Sequence, residues 1–142
     1  MTAFETQASE RDWADVLAGV PLFAGVGKRK LRRVAQDAHF AEYAPGDAVV
    51  LTGAPADSFF VILSGAAHVV GKPGARPLAT GDYFGELALL GDGTRSATVI
   101  AASELHVMRL PRPTFERLLS EAGVAKELTS ELGARLRRAE QA

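Results

Sequence analysis

Glu86 and Arg95 stand nine residues apart, amid residue types that receive an anion carrying hydroxyl groups. The stretch runs from Gly81 to Val99, GDYFGELALLGDGTRSATV. Gly85 removes Cβ where a backbone must come close to something. Glu86-Leu87-Ala88-Leu89-Leu90 reads as one short helical turn, whose first N–H groups have no partner within the helix. Gly91-Asp92-Gly93 turns the chain back. Arg95 then offers a planar fork of donors. Ser96 adds a hydroxyl, and Ser96-Ala97-Thr98-Val99 reads as the start of a strand. Free amides, an arginine and a hydroxyl together make a phosphate receptor. Glu86, an acceptor, suits a sugar hydroxyl.

Other chemistry finds less support. Gly25-Val26-Gly27-Lys28 invites a phosphate-loop assignment, but that loop needs a glycine five residues before its Gly-Lys pair. Leu22 stands there, and neither serine nor threonine follows Lys28. His39, His68 and His106 are far apart, so a metal site would need the fold to gather them. The paired histidines of a cupin-type metal enzyme are absent. His68 and His106 fit the polar faces of alternating strands. No serine lies in a Gly-x-Ser-x-Gly elbow, and no pair of carboxylates suggests acid–base work.

Composition narrows the rest. A chain of 142 residues has length for one core and little else. The apolar fraction of 47% is ordinary for a globular protein. A net charge of -1 gives no global attraction to nucleic acid or anionic lipid. Without cysteine there are neither disulfides nor thiolate metal sites. No apolar run approaches the ~20 residues of a membrane helix. Met1 to Asp12 has no apolar signal core, so a cytoplasmic location is the expectation.

The elements that must position this stretch follow from periodicity. Ser9 suits the cap of a first helix, from Glu10 to about Ala18, with Trp13, Val16 and Leu17 on one face. Val20-Pro21-Leu22-Phe23-Ala24-Gly25 is an apolar turn. A second helix, about Lys28 to Asp37, carries Leu31, Val34, Ala35 and Ala38 on one side. Lys28, Arg29, Lys30, Arg32 and Arg33 lie on the other. That basic side reads as a solvated face, with contact to an acidic partner as the alternative. From Phe40 to Leu110, turn signals separate short apolar runs. The runs are Ala48 to Leu51, Phe59 to Leu63, Ala67 to Val70, Thr98 to Ala101 and Leu105 to Leu110. Short strands so spaced predict an antiparallel sandwich or barrel. Pro111 and Pro113 then suit a helix entry, with Phe115, Leu118 and Leu119 on one face. A final helix is expected from Val124 to about Ala139. Its stripe Val124, Leu128, Leu132, Leu136 either packs on the barrel or pairs with a second copy.

This order of parts resembles the cyclic-nucleotide-binding domain. That family includes the bacterial catabolite activator protein, regulatory subunits of cAMP-dependent protein kinase and cyclic-nucleotide-gated channels. The resemblance covers about residues 18 to 138. It rests on Phe84-Gly85-Glu86-Leu87-Ala88-Leu89-Leu90, with Arg95-Ser96-Ala97-Thr98-Val99 at the right distance. Val20-Pro21-Leu22-Phe23, Pro45-Gly46-Asp47 and Phe59-Phe60-Val61-Ile62-Leu63-Ser64-Gly65 are further landmarks. The fold implied is α+β: an antiparallel β-roll, a jelly-roll-like barrel, with a short phosphate-cassette helix. N-terminal helices (about 9–38) and C-terminal helices (about 111–139) flank the roll (about 39–110). All of it falls in one domain, 1–142.

The resemblance also implies roles. Arg95 pairs with the exocyclic phosphate of a 3′,5′-cyclic nucleotide, and Glu86 accepts from the ribose 2′-OH. Backbone amides of Leu87, Ala88 and Ala97 approach phosphate or ribose, and Gly85 makes room. Ser96 offers a hydroxyl near phosphate or base, and serine there favours cAMP over cGMP. Val69 and Leu78 match strand positions lining the base pocket. Arg135 or Leu136 match the lid over the base. The implied ligand is cAMP, with cGMP as the alternative, and no further cofactor and no metal. The implied role is a sensor that binds its ligand and leaves it unchanged, so no enzyme activity is expected. Its output passes through the C-terminal helices to an effector protein or to a second copy, with neither nucleic acid nor membrane as partner. The chain lacks room for the helix-turn-helix of the catabolite activator type. It therefore resembles a free-standing sensor domain or a fragment of something longer. A protein-interaction domain of the same fold that binds no nucleotide is the alternative.

Overall fold

The run Phe59-Phe60-Val61-Ile62-Leu63 lacks polar alternation, and a strand of that kind needs cover on both faces. The computed structural model, which describes residues 13–71, 77–121, 123–126 and 128–130, shows that cover. The elements are α1 (Trp13–Ala18), a 3-10 turn (Pro21–Phe23), α2 (Lys28–Asp37), β1 (His39–Tyr43), β2 (Ala48–Val50), β3 (Ser58–Ser64) and β4 (Ala66–Val70). Then follow β5 (Leu78–Ala79), β6 (Tyr83–Phe84), α3 (Glu86–Leu90), β7 (Thr98–Ala101), β8 (Leu105–Pro111) and α4 (Arg112–Leu119). Residues 123–126 and 128–130 are helical too.

The strands form two antiparallel sheets of four, ordered β1-β8-β3-β6 and β2-β7-β4-β5. Side chains alternate across a strand, so β3 divides its apolar run between two layers. Phe60 and Ile62 enter the core between the sheets, with Phe84, Leu105 and Val107 from the same sheet. Ala67, Leu78, Val99 and Ala101 meet them from the other sheet. Phe59 and Val61 enter a second core beneath the helices, with Tyr83, Met108 and Leu110. The molecule is thus layered as helices, covered sheet, open sheet. The predicted β-roll is present as these two facing sheets.

The helices close the first sheet because each carries one apolar stripe. α1 buries Ala14 and Leu17, and its half-buried Trp13 packs on Phe40 with ring centroids 4.6 Å apart. α2 has the predicted bounds and buries Leu31 and Val34, while its basic side faces solvent. On that side Lys28 pairs with Asp15 at 2.6 Å and Lys30 with Glu121 at 2.5 Å. Pro111 and Pro113 stand at the entry to α4, as expected. α4 stacks Phe115 on Phe59 at 4.8 Å. Asp37 ties α2 to α4 by accepting from Thr114 Oγ1 at 3.3 Å and from Arg117 Nη2.

Three strands were not among the predicted runs. β1, HFAEY, mixes exposed and half-buried positions, so no apolar run marks it. β5 and β6 are two residues each, shorter than any periodicity. Of the predicted terminal stripe, Val124 and Leu128 are buried in the helix-side core, against the chain's own residues. Leu132, Leu136 and Arg135 lie outside the described residues, as does the start of the first helix.

Candidate ligand-binding site

The site begins where β6 ends. Gly85 follows Phe84 directly and takes φ of 94°, a conformation L-residues rarely adopt. A Cβ there would stand 2.7 Å from Arg95 Nη1, 3.3 Å from Ser58 O and 3.4 Å from Phe60 Cδ2. Glycine is therefore required twice, by the backbone turn and by the space. α3 starts at the next residue, Glu86, which is fully buried.

Arg95 reaches this junction from the far side of the cassette. Arg95 as a whole residue is only 6% exposed. Nη2 donates to Ser58 O at 2.9 Å and Nη1 donates to Gly85 O at 3.3 Å. Its Cζ lies 5.4 Å from the centroid of the Phe60 ring, within cation–π range. Burial holds the Arg95 pKa below the ordinary arginine value, and the carboxylates of Asp57 and then Glu86 oppose that shift. A guanidinium has five N–H donors, and main-chain carbonyls take two of them. An arginine buried in this way favours a matching anion, since a charge taken from water needs compensation.

Backbone pairing fixes where Arg95 starts from. Its N–H donates to Ala54 O at 2.8 Å, and its carbonyl accepts from Gly53 N–H at 2.8 Å. Ala56 N–H donates to Gly93 O at 2.7 Å, and Pro55 bridges Thr94. Gly93 N–H donates to Ala88 O at 3.0 Å, which closes the cassette onto α3. The turn ahead of Arg95 is braced by Asp92, which accepts from Thr94 N–H at 3.0 Å and Thr94 Oγ1 at 2.7 Å. Those bonds lower the Asp92 pKa.

The predicted site residues are spread over five places in the chain. Gly85, Glu86 and Arg95 come together at the junction of β6, α3 and the loop before β7. Ser96 is exposed and Ala97 half-buried, immediately before β7. Leu87 lies in α3, and the side chain of Ala88 packs into the helix-side core, leaving its main chain for any ligand role. Val69 and Leu78 sit on the inner face of the open sheet, in the same core as Phe60 and Phe84. The expected lid residues Arg135 and Leu136 lie outside the described residues.

Ser58, Asp57 and Phe60 were not predicted as part of the site. The turn at Gly53 to Asp57 was legible only as a turn, and Phe60 only as part of a strand. The aromatic at the start of a doubly buried strand was the one available signal. Among the described residues, no three His, Asp or Glu groups gather as a metal site. His68 is exposed, and His106 lies 3.4 Å from Glu42 and 3.2 Å from Glu104.

The architecture is a two-sheet roll with helices on one face and a short helix joined to a buried arginine. The cyclic nucleotide-binding domain family model matches residues 40–122, and the chain belongs to that family. It is 36% identical over 115 residues to a cAMP-dependent protein kinase regulatory subunit of Hypocrea atroviridis, covering 80% of this chain and 25% of that one. The regulatory domain of Toxoplasma gondii PKA, solved with cAMP, is 28% identical with a TM-score of 0.76, over 91% of this chain and 52% of that one. The regulatory subunit of a cAMP-independent protein kinase A from Trypanosoma brucei is 25% identical with a TM-score of 0.77, over 87% of this chain and 47% of that one. The chain spans between 25% and 30% of the length of the curated relatives it matches. No helix among the described residues is long and apolar enough to cross a membrane.

Proposed function

We propose that this domain is a regulatory sensor that binds a 3′,5′-cyclic nucleotide, with cAMP favoured over cGMP. The observation that carries this is the buried Arg95 guanidinium, held on two main-chain carbonyls beside the fully buried Glu86. Arginine's fork binds a phosphate through two parallel charge-assisted hydrogen bonds. In this proposal Arg95 receives the exocyclic phosphate and Glu86 the ribose 2′-OH. Main-chain amides of Leu87, Ala88 and Ala97 complete the phosphate and ribose contacts. Ser96 faces phosphate or base, and Val69 and Leu78 border the base. The domain binds without catalysis, as regulatory subunits do, and its output passes through the helices after β8 to an effector protein. A ligand shifts that output only by its difference in affinity between two states.

A nucleotide-independent interaction domain of the same fold is the alternative. It draws support from the Trypanosoma brucei relative, whose kinase is described as cAMP-independent. Thermal unfolding with cAMP, cGMP and AMP separates the two. A ligand at 100 times its Kd adds about 2.7 kcal/mol, a rise of roughly 5–10 °C in Tm for a domain of this size. The expected order is cAMP, then cGMP, with AMP inert. Arg95→Glu is expected to fold and to lose the response to both cyclic nucleotides. No stabilisation of the native chain by either cyclic nucleotide at millimolar concentration would sink the proposal. Native affinity in Arg95→Glu would remove the arginine from it.

A further inference from the structure

Phe60 stands at the centre of the contacts around Arg95. It is 4% exposed, on the inner face of β3, and its ring lies parallel to that of Phe84 at 4.9 Å with an interplanar angle of 4°. The two residues are cross-strand partners in the β3–β6 pairing. Arg95 Cζ stands 5.4 Å from the Phe60 centroid. The absent Cβ of Gly85 leaves the gap in which Arg95 Nη1 and Phe60 Cδ2 both approach. One aromatic plane therefore bears on the start of the cassette through Phe84 and on its end through Arg95.

A guanidinium on two carbonyls still has freedom to tilt, because hydrogen bonds to carbonyl oxygens tolerate a broad range of angles. A ring face removes that freedom, since a cation is attracted to the face of the ring. We propose that Phe60 is a positioning residue. Its ring sets the plane of the Arg95 fork before ligand arrives, and so sets affinity for the phosphate without touching it. This rests on the assignment of Arg95 to an anionic ligand. Preorganisation of that kind raises affinity by removing the ordering that binding would otherwise require.

The experiment is calorimetric titration of cAMP into the full chain, at a temperature where every variant is folded. Phe60→Leu, and Phe60→Met as a second, unbranched variant without a ring, are expected to raise Kd by up to about tenfold, the scale of the ordering cost of one long side chain that binding would then have to meet. Phe60→Tyr keeps the ring face and is expected to stay within about twofold of native. Leu105→Ala, in the same core cluster, is expected to lower Tm while changing Kd less than about threefold. In an Arg95→Lys background, which lacks the planar fork, Phe60→Leu is expected to change Kd by less than about twofold. Native affinity in Phe60→Leu and Phe60→Met would overturn the proposal. So would equal losses in Phe60→Tyr or Leu105→Ala, or a full loss retained in the Arg95→Lys background. NMR of the ligand-free chain gives an independent reading. The Arg95 side chain is expected to show ring-current-shifted resonances and slow guanidinium rotation, both lost in Phe60→Leu. Their absence in the native chain would overturn the proposal even if cAMP did not bind. Failure of the native chain to bind cAMP, with that signature present, would instead strike the functional assignment.

Discussion

The two sheets share one core but differ in what lies behind them. The β1-β8-β3-β6 sheet is covered on both faces, by the helices on one side and by the second sheet on the other. The β2-β7-β4-β5 sheet keeps its outer face in solvent, where His68 and Val70 are exposed. The difference shows where rigidity is placed. Ser58, Phe60 and Phe84, which hold Arg95 and the start of the cassette, all come from the covered sheet. Val69 and Leu78, which we propose border the base, come from the open one. Fixed geometry is demanded where a charge is to be gripped, and a sheet packed on both faces gives it. The cassette also joins the two cores. Phe84 before it and Val99 after it lie between the sheets, while Ala88 and Leu89 within it lie beneath the helices. Any shift of the cassette is therefore felt in both layers.

Substitutions can break this comparison. Phe59→Ala in the covered sheet removes a fully buried ring that stacks on Phe115. It is expected to lower stability by about 3–5 kcal/mol in denaturant unfolding. A loss under about 1 kcal/mol would show that the helices do not close this face. Gly85→Ala comes next, with an expected loss of about 1–3 kcal/mol from the strained backbone. It should also weaken cAMP binding more than the stability loss explains, because the new Cβ displaces Arg95. Unchanged affinity would remove the close approach of Gly85 and Arg95 from the site. Asp37→Ala, which breaks the exposed tie from α2 to Arg117, is expected to lower stability by no more than about 1 kcal/mol. His68→Ala on the open sheet is expected to stay within about 0.5 kcal/mol of native. A loss as large as that of Phe59→Ala would mean that the outer face is covered after all.

Much of the fold was legible in the amino-acid order alone. Leu31 and Val34 at helical spacing marked α2 to the residue, because a single apolar stripe opposite a basic face admits one period. Thr98 to Ala101 was legible as a short apolar run set off by turn signals, and the structure makes it β7. β5 and β6 were not, since two residues hold no period, and these strands exist through pairing to β4 and β3. Gly85, Glu86 and Arg95 were singled out together because their types and spacing suit one ligand chemistry, and the structure brings the three together.

What the sequence alone determined about this protein is local: the helix faces, the turns, the cassette and its family. Only the tertiary structure decided what surrounds Arg95. Ser58 and Phe60 precede it by more than thirty residues, and their approach depends on β3 pairing with β6. The continuous run Phe59 to Leu63 announced a buried strand, but not which residue would face the helices and which the site. That choice turns on a single step of register, since neighbours on a strand point to opposite faces. Phe59 became core and Phe60 became the floor beneath the arginine.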